Sequence, residues 1–144
     1  MARSNFRLAN EAWEALFRAQ ATIGRELAEG EVWGELAPRE YGVLYALSAA
    51  PPQGLRISEL LEDVLLTQPG MSRLIARLEE RGLVVRADDP ADRRACRVRL
   101  TRAGARAQRE IGLAHGRHVA EAMTRILRRE QLVQLRDLCR GLLA

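Results

Sequence analysis

The residues of this sequence best suited to chemistry are polar and basic, and they lie in two clusters. The first is Thr67-Gln68-Pro69-Gly70-Met71-Ser72-Arg73, with Arg77 one helical turn further on. Glutamine can pair bidentately with adenine, arginine with guanine and a serine hydroxyl with either, each good pair contributing about 1–3 kcal/mol of base discrimination. Gly70 permits a close backbone approach. The Thr67 hydroxyl can cap a helix or donate to a phosphate, and free N–H groups at a helix start suit an anion. Arg77 and Arg81 lie one and two turns on, better placed for backbone phosphates than for bases. The second cluster is Asp92-Arg93-Arg94. A guanidinium on a thin two-stranded ribbon fits a narrow minor groove, where the negative potential is enhanced. Asp92 reads as the partner that orients one of these arginines, because a carboxylate facing DNA would be repelled.

Other chemistries find little support. The sequence has no phosphate-binding loop, no Gly-x-Ser-x-Gly, no His-Glu-x-x-His and no Cys–His pair close in sequence, so neither an enzyme nor a cofactor is expected. Its two histidines, His115 and His118, share a helix face that Glu121 continues; three such ligands hold zinc only with a fourth from elsewhere. Surface or packing roles are the simpler reading of these three. All six aromatic residues lie before residue 46, so the basic segment has no ring on which to stack an unpaired base. That argues against modules that read single strands and for a duplex read by a helix.

The 144 residues fit one domain, and 47% hydrophobic with 29% charged content excludes a disordered chain. No apolar run reaches the length of a membrane span and no secretory signal opens the chain, so no membrane partner and a cytoplasmic location are expected. Two cysteines, Cys96 and Cys139, agree with a reducing compartment. All 23 basic residues are arginine, for which codon usage is the simplest cause; their placement says more. Between Thr67 and Arg102 nine arginines meet five acids, whereas the rest of the chain balances at 14 of each. The whole net charge of +4 thus falls in one segment, the footprint of a surface that meets phosphates.

Hydrophobic periodicity supplies the elements that hold these clusters. Phe6, Trp13, Leu16, Phe17, Ile23 and Leu27 form one stripe on a long helix over 6–29. Pro38 starts a second helix, which ends before the breaker run Ala49–Gly54. A short third helix follows, with Ser58 as N-cap and Leu60, Leu61 and Val64 facing inward. Thr67 caps a fourth helix that buries Met71, Leu74, Ile75 and Leu78 and stops at Gly82. Residues 83–86 and 96–100 read as strands around a polar turn over 88–94 with an exposed tip. Thr101 caps a helix to about 126, and a last one covers 129–143. The fold class is mainly α with a small β-hairpin wing, in the order α-α-α-α-β-β-α-α. This is a winged helix-turn-helix over 37–101 within a single domain 1–144, flanked by helical dimerisation parts at 1–36 and 102–144. Long amphipathic helices at both ends need a partner surface, which argues for a homodimer.

The run Asp89-Pro90-Ala91-Asp92-Arg93-Arg94 through Val98-Arg99-Leu100-Thr101-Arg102-Ala103-Gly104 resembles the wing signature of the MarR family, D-P-x-D-R-R-x-x-x-V-x-L-T-x-x-G. Leu74–Val84 is similar to that family's recognition helix and exit. The resemblance implies a homodimeric transcription factor on a pseudo-palindromic double-stranded DNA operator, built on its first, fifth and sixth helices. Such proteins usually repress, and many release DNA on binding a small, often anionic aromatic effector. Two positions depart from the pattern: Ala37 and Arg128 stand where a capping side chain is usual.

The resemblance also frames the sensor. Family ligands lodge between the dimerisation helices and the winged part, where Trp13, Phe17, Tyr41 and Tyr45 could supply rings and Arg86 could pair with a carboxylate; plain core packing is the alternative for each ring. Peroxide sensors of the family carry a reactive cysteine in the first helix, which this sequence lacks. Sensing of metal or oxidation, and a winged helix that serves only as a protein-interaction module, remain the alternative functions. A polar, basic face on the fourth helix speaks against the interaction module.

Overall fold

The computed structural model describes residues 2–63 and 66–144, and the expected inward placement of Val64 lies outside them. The chain runs α1 (Ala2–Glu29), a single 3-10 turn (Glu31–Trp33), α2 (Pro38–Ser48), β1 (Leu55–Arg56), α3 (Ile57–Asp63) and α4 (Gln68–Glu80). It continues through β2 (Val84–Asp89), β3 (Asp92–Leu100), α5 (Arg102–Thr124) and α6 (Arg129–Leu143). This is the mainly α, winged-helix class expected, with one strand more among the described residues. The three strands form an antiparallel sheet in the order β1-β3-β2.

Two compact units result, one from residues 1–31 and 115–144, the other from 32–114. The winged unit closes around a core of Leu36, Val43, Leu44 and Leu47 from α2 and the turn before it, with Leu60 of α3. Met71, Leu74, Ile75 and Leu78 of α4, with Val84 and Val98 of the sheet, complete it. The four α4 residues recur at three- and four-residue spacing, so burying that stripe turns Gln68, Arg73 and Arg77 to solvent. Trp33 packs on Tyr41 at 5.4 Å between ring centroids, and Ala107 and Ile111 of α5 pack on the core. This unit therefore includes chain on both sides of residues 37–101.

Helix ends explain several boundaries. At the exit of α4, the Gly82 N–H donates to Glu79 O and the Leu83 N–H to Leu78 O. Gly82 itself sits at φ +72°, the left-handed closure that glycine accepts without penalty. The Thr101 hydroxyl accepts the Gly104 N–H at 3.0 Å and donates to Gly82 O at 2.6 Å, so one side chain both caps α5 and ties it to the α4 exit. Ala37 and Arg128 lack a capping hydroxyl, but Glu40 and Gln131 reach back to their backbone N–H groups at 2.8 and 2.9 Å. Each helix start thereby keeps one half of a capping box.

Two local expectations are corrected. Ser58 is not the N-cap of α3: the helix begins at Ile57, and the Glu59 carboxylate accepts the Arg56 N–H at 3.1 Å. Leu55 and Arg56 pair with Val98 and Arg97 of β3, so the chain passes straight from strand to helix. The turn over 88–94 is also shorter than expected. The β2–β3 ladder continues through Asp88↔Cys96 to Asp89↔Asp92, with a register shift between Asp88 and Asp89, leaving only Pro90 and Ala91 to turn. The acids that suggested a loop instead close it. Asp89 accepts the Ala91 N–H and Asp92 the Arg94 N–H, each at 2.9 Å.

In the other unit, α1, α6 and the end of α5 bury little. Ala122 is the one fully buried apolar residue there among those described, and α6 has none. Leu16, Ile23, Leu27, Val119, Met123 and Leu135 line an apolar groove of about 750 Å³ that Leu138, Cys139 and Leu142 continue.

Candidate nucleic-acid interface

At the start of α4, Thr67 is extended (φ −76°, ψ 159°) and its hydroxyl accepts the Gly70 N–H at 3.2 Å. A Cβ on Gly70 would stand 3.1 Å from that hydroxyl, so the missing side chain serves the cap directly. Thr67, Gln68, Arg73 and Arg77 are exposed, while Ser72 is half-buried. A capped helix start beside exposed amide, hydroxyl and guanidinium groups offers donors to phosphates and to base edges alike. Arg81 takes a different role. It lies 3.7 Å from Glu35 and 3.9 Å from the buried Glu40, and it donates to Glu35 O at 3.4 Å. It joins α4 to the segment before α2.

Arg93 and Arg94 are exposed on β3, immediately after the two-residue turn. Asp92 acts on Arg94 through its backbone N–H, which fixes the start of the strand. The carboxylate that engages arginine side chains is Asp89, a residue the sequence reading did not single out. It accepts from Arg56 Nε at 2.6 Å and lies 3.2 Å from Arg97 Nε. The donated Ala91 N–H, then the two guanidiniums, hold its carboxyl below the usual carboxylate range, against the opposing effect of burial. The signal available in the sequence was an aspartate two residues before Ala91 in a turn, but of its arginine partners Arg56 lies 33 residues away and Arg97 is reached only across the hairpin.

The candidate effector residues are distributed over both units. On α1, Trp13 and Phe17 stand 6.4 Å apart and are 66% and 60% exposed, more than core packing would leave. In the winged unit Tyr41 is buried between Trp33 and Tyr45, and Tyr45 is exposed. Arg86 is engaged with α4. It lies 3.7 Å from Glu79, its Nη2 donates to Ser72 O at 3.4 Å, and its N–H donates to Glu79 at 3.3 Å.

His115 and His118 are half-buried on α5, and the His118 ring fills the space a Cβ on Gly30 would need. Burial, and secondarily the charge of His118, push His115 below the ordinary imidazole value. Sharing a helix face does not bring Glu121 into a ligand set with them. Among the described residues no three His, Cys, Asp or Glu side chains are gathered as a metal ion requires. Cys96 and Cys139 are free and half-buried. No helix among the described residues is long and apolar enough to cross a membrane.

Comparison with known proteins agrees with this architecture. Residues 35–95 match the sequence model of the MarR family. The transcriptional regulator HosA of Escherichia coli is 37% identical over 70 residues, 49% of this chain and 50% of its own; the chain thus spans about half the length of that curated relative. The crystal structure of Sco3205, a MarR family transcriptional regulator from Streptomyces coelicolor in complex with DNA, is similar with a TM-score of 0.77 and 28% identity. That match covers 92% of this chain and 84% of Sco3205. PcaV, a transcriptional regulator from the same organism solved with its natural ligand, is similar with a TM-score of 0.67 and 27% identity, covering 92% and 89% of the two chains. By sequence over residues 35–95, and by fold over nine-tenths of its length, this chain is similar to MarR family transcriptional regulators.

Proposed function

We propose that this chain is a sequence-specific, double-stranded DNA-binding transcriptional regulator. The observation that carries this reading is the pairing, within one unit, of the Thr67-capped start of α4 with the exposed Arg93 and Arg94 of the wing. The helix is about 10–12 Å across with side chains, which suits a major groove about 12 Å wide, and its first turn comes closest to the bases. Gln68, Ser72 and Arg73 read base edges, Thr67 and Arg77 meet phosphates, and the wing arginines enter the neighbouring minor groove. Sco3205, solved with DNA, supports the assignment by similarity.

The regulator acts as a homodimer on a pseudo-palindromic operator with half-sites about 34 Å apart, and it represses. The dimer reading is supported by the apolar groove of α1, α5 and α6, for which a second copy is the natural cover. Release follows from a small, often anionic aromatic ligand. Exposed Trp13, Phe17 and Tyr45 are the candidate rings, with Tyr41 beside Tyr45. Arg86 is the candidate partner for the carboxylate of such a ligand, and its Nε already lies 3.7 Å from Glu79. A salt titration tests the core of this reading. The affinity for duplex DNA, followed by fluorescence anisotropy, is expected to fall linearly in log–log form with salt. Absence of duplex binding even at low salt would refute it.

A further inference from the structure

Asp89 is the most buried charged side chain near the wing, 1% exposed, and it gathers three parts of the winged unit. Arg56 comes from β1, at the entrance to α3; Arg97 comes from the middle of β3; the Ala91 N–H comes from the turn. Arg97 also donates to Gly54 O at 3.3 Å, and Glu59 of α3 accepts the Arg56 N–H. A buried carboxylate with two guanidiniums is held by charge-assisted hydrogen bonds with defined directions, unlike an apolar contact. The end of β2, the stem of β3 and the entrance to α3 therefore meet at one atom group, three residues before Asp92 and five before Arg94.

We propose that Asp89 is a positioning residue for DNA binding: it fixes the wing against the helix-turn-helix so that Arg93 and Arg94 meet the duplex while α4 occupies its groove. This rests on the DNA-binding reading above. Asp89 touches no DNA itself; it acts through the wing.

The sign of one substitution separates this role from simple electrostatics. Asp89→Asn keeps the size of the side chain and removes a negative charge. By charge alone it should tighten binding to a polyanion, whereas loss of positioning should weaken it. The measurement is anisotropy with the full chain and a labelled mixed-sequence duplex of about 30 base pairs, long enough for two half-sites a turn apart. Asp89→Asn is expected to weaken binding roughly tenfold, and less than about twofold in an Arg93→Ala/Arg94→Ala background, because the wing it positions has already lost its contacts. Unchanged or tighter binding, or an equal loss in both backgrounds as general destabilisation would give, overturns the proposal. Should Asp89→Asn fail to fold by circular dichroism, Arg97→Gln removes one partner of the same carboxylate and is read by the same criteria. A wild-type protein that binds no duplex would remove the functional reading, and this proposal with it. Wild-type binding with a neutral Asp89→Asn would remove this proposal alone.

Discussion

In the proposed reading Arg73 reads base edges whereas the wing arginines answer the negative potential of the minor groove, so the two should fail in different ways when truncated. Arg73→Ala is expected to weaken operator binding by about 1–3 kcal/mol and to relax base preference at one position of each half-site. Arg93→Ala and Arg94→Ala should weaken binding to all sequences alike and lower the salt slope, with little change in preference. Competition between matched and mismatched duplexes distinguishes the two; equal loss on every sequence for Arg73→Ala would move it to the phosphate-contacting class. Thr67→Ala removes the acceptor of the Gly70 N–H and should destabilise α4 by about 1 kcal/mol in a denaturant melt. The cap, the buried stripe and the exposed arginines of α4 were legible in the sequence, since all are written within a few residues of one another. The partners of Asp89 were not, because Arg56 lies 33 residues away and no local pattern joins them. The fate of Arg86 was hidden for the same reason: its hold on Ser72 and Glu79 exists only once β2 has packed beside α4.

Among the elements, the helices were readable from their apolar stripes, whereas β1 was not. Two residues carry no periodicity, and Leu55–Arg56 becomes a strand only because β3 offers an edge. The hairpin was read too short because Asp88–Arg94 has the composition of a loop; side-chain hydrogen bonds from Asp89 and Asp92 let the ladder run on through it. The junction of wing and α5 makes a sharp test of this packing. A Cβ on Gly104 would stand 1.9 Å from Leu83 O, a backbone atom that cannot turn aside. Gly104→Ala should therefore lower stability by about 2–3 kcal/mol, read as a shift in denaturation midpoint. On α5, His115 is held below its ordinary value of 6.5, chiefly by burial. The unfolded chain then takes up a proton near pH 6.5 that the folded chain refuses until lower pH, so stability must fall as pH descends from that point. The thermal midpoint is expected to drop between pH 7.5 and 5.5, and His115→Gln should flatten that slope.

At the scale of the whole molecule, the winged unit has a closed core, whereas the unit of α1, α6 and the end of α5 leaves its apolar faces open. Leu138 and Leu142 are 70% and 75% exposed beside the groove of Leu16, Ile23 and Met123. Apolar surface on this scale marks an interface. If this face closes the proposed dimer, Leu138→Glu with Leu142→Glu should leave a monomer in sedimentation experiments and weaken operator binding, because two half-sites would no longer be engaged together. The measurement that bears most directly on the account is selection by the full chain of sheared genomic DNA at near-physiological salt, followed by sequencing. An enriched inverted repeat with half-sites about one helical turn apart is expected. Recovery of fragments with no common sequence, released at moderate salt, would contradict it.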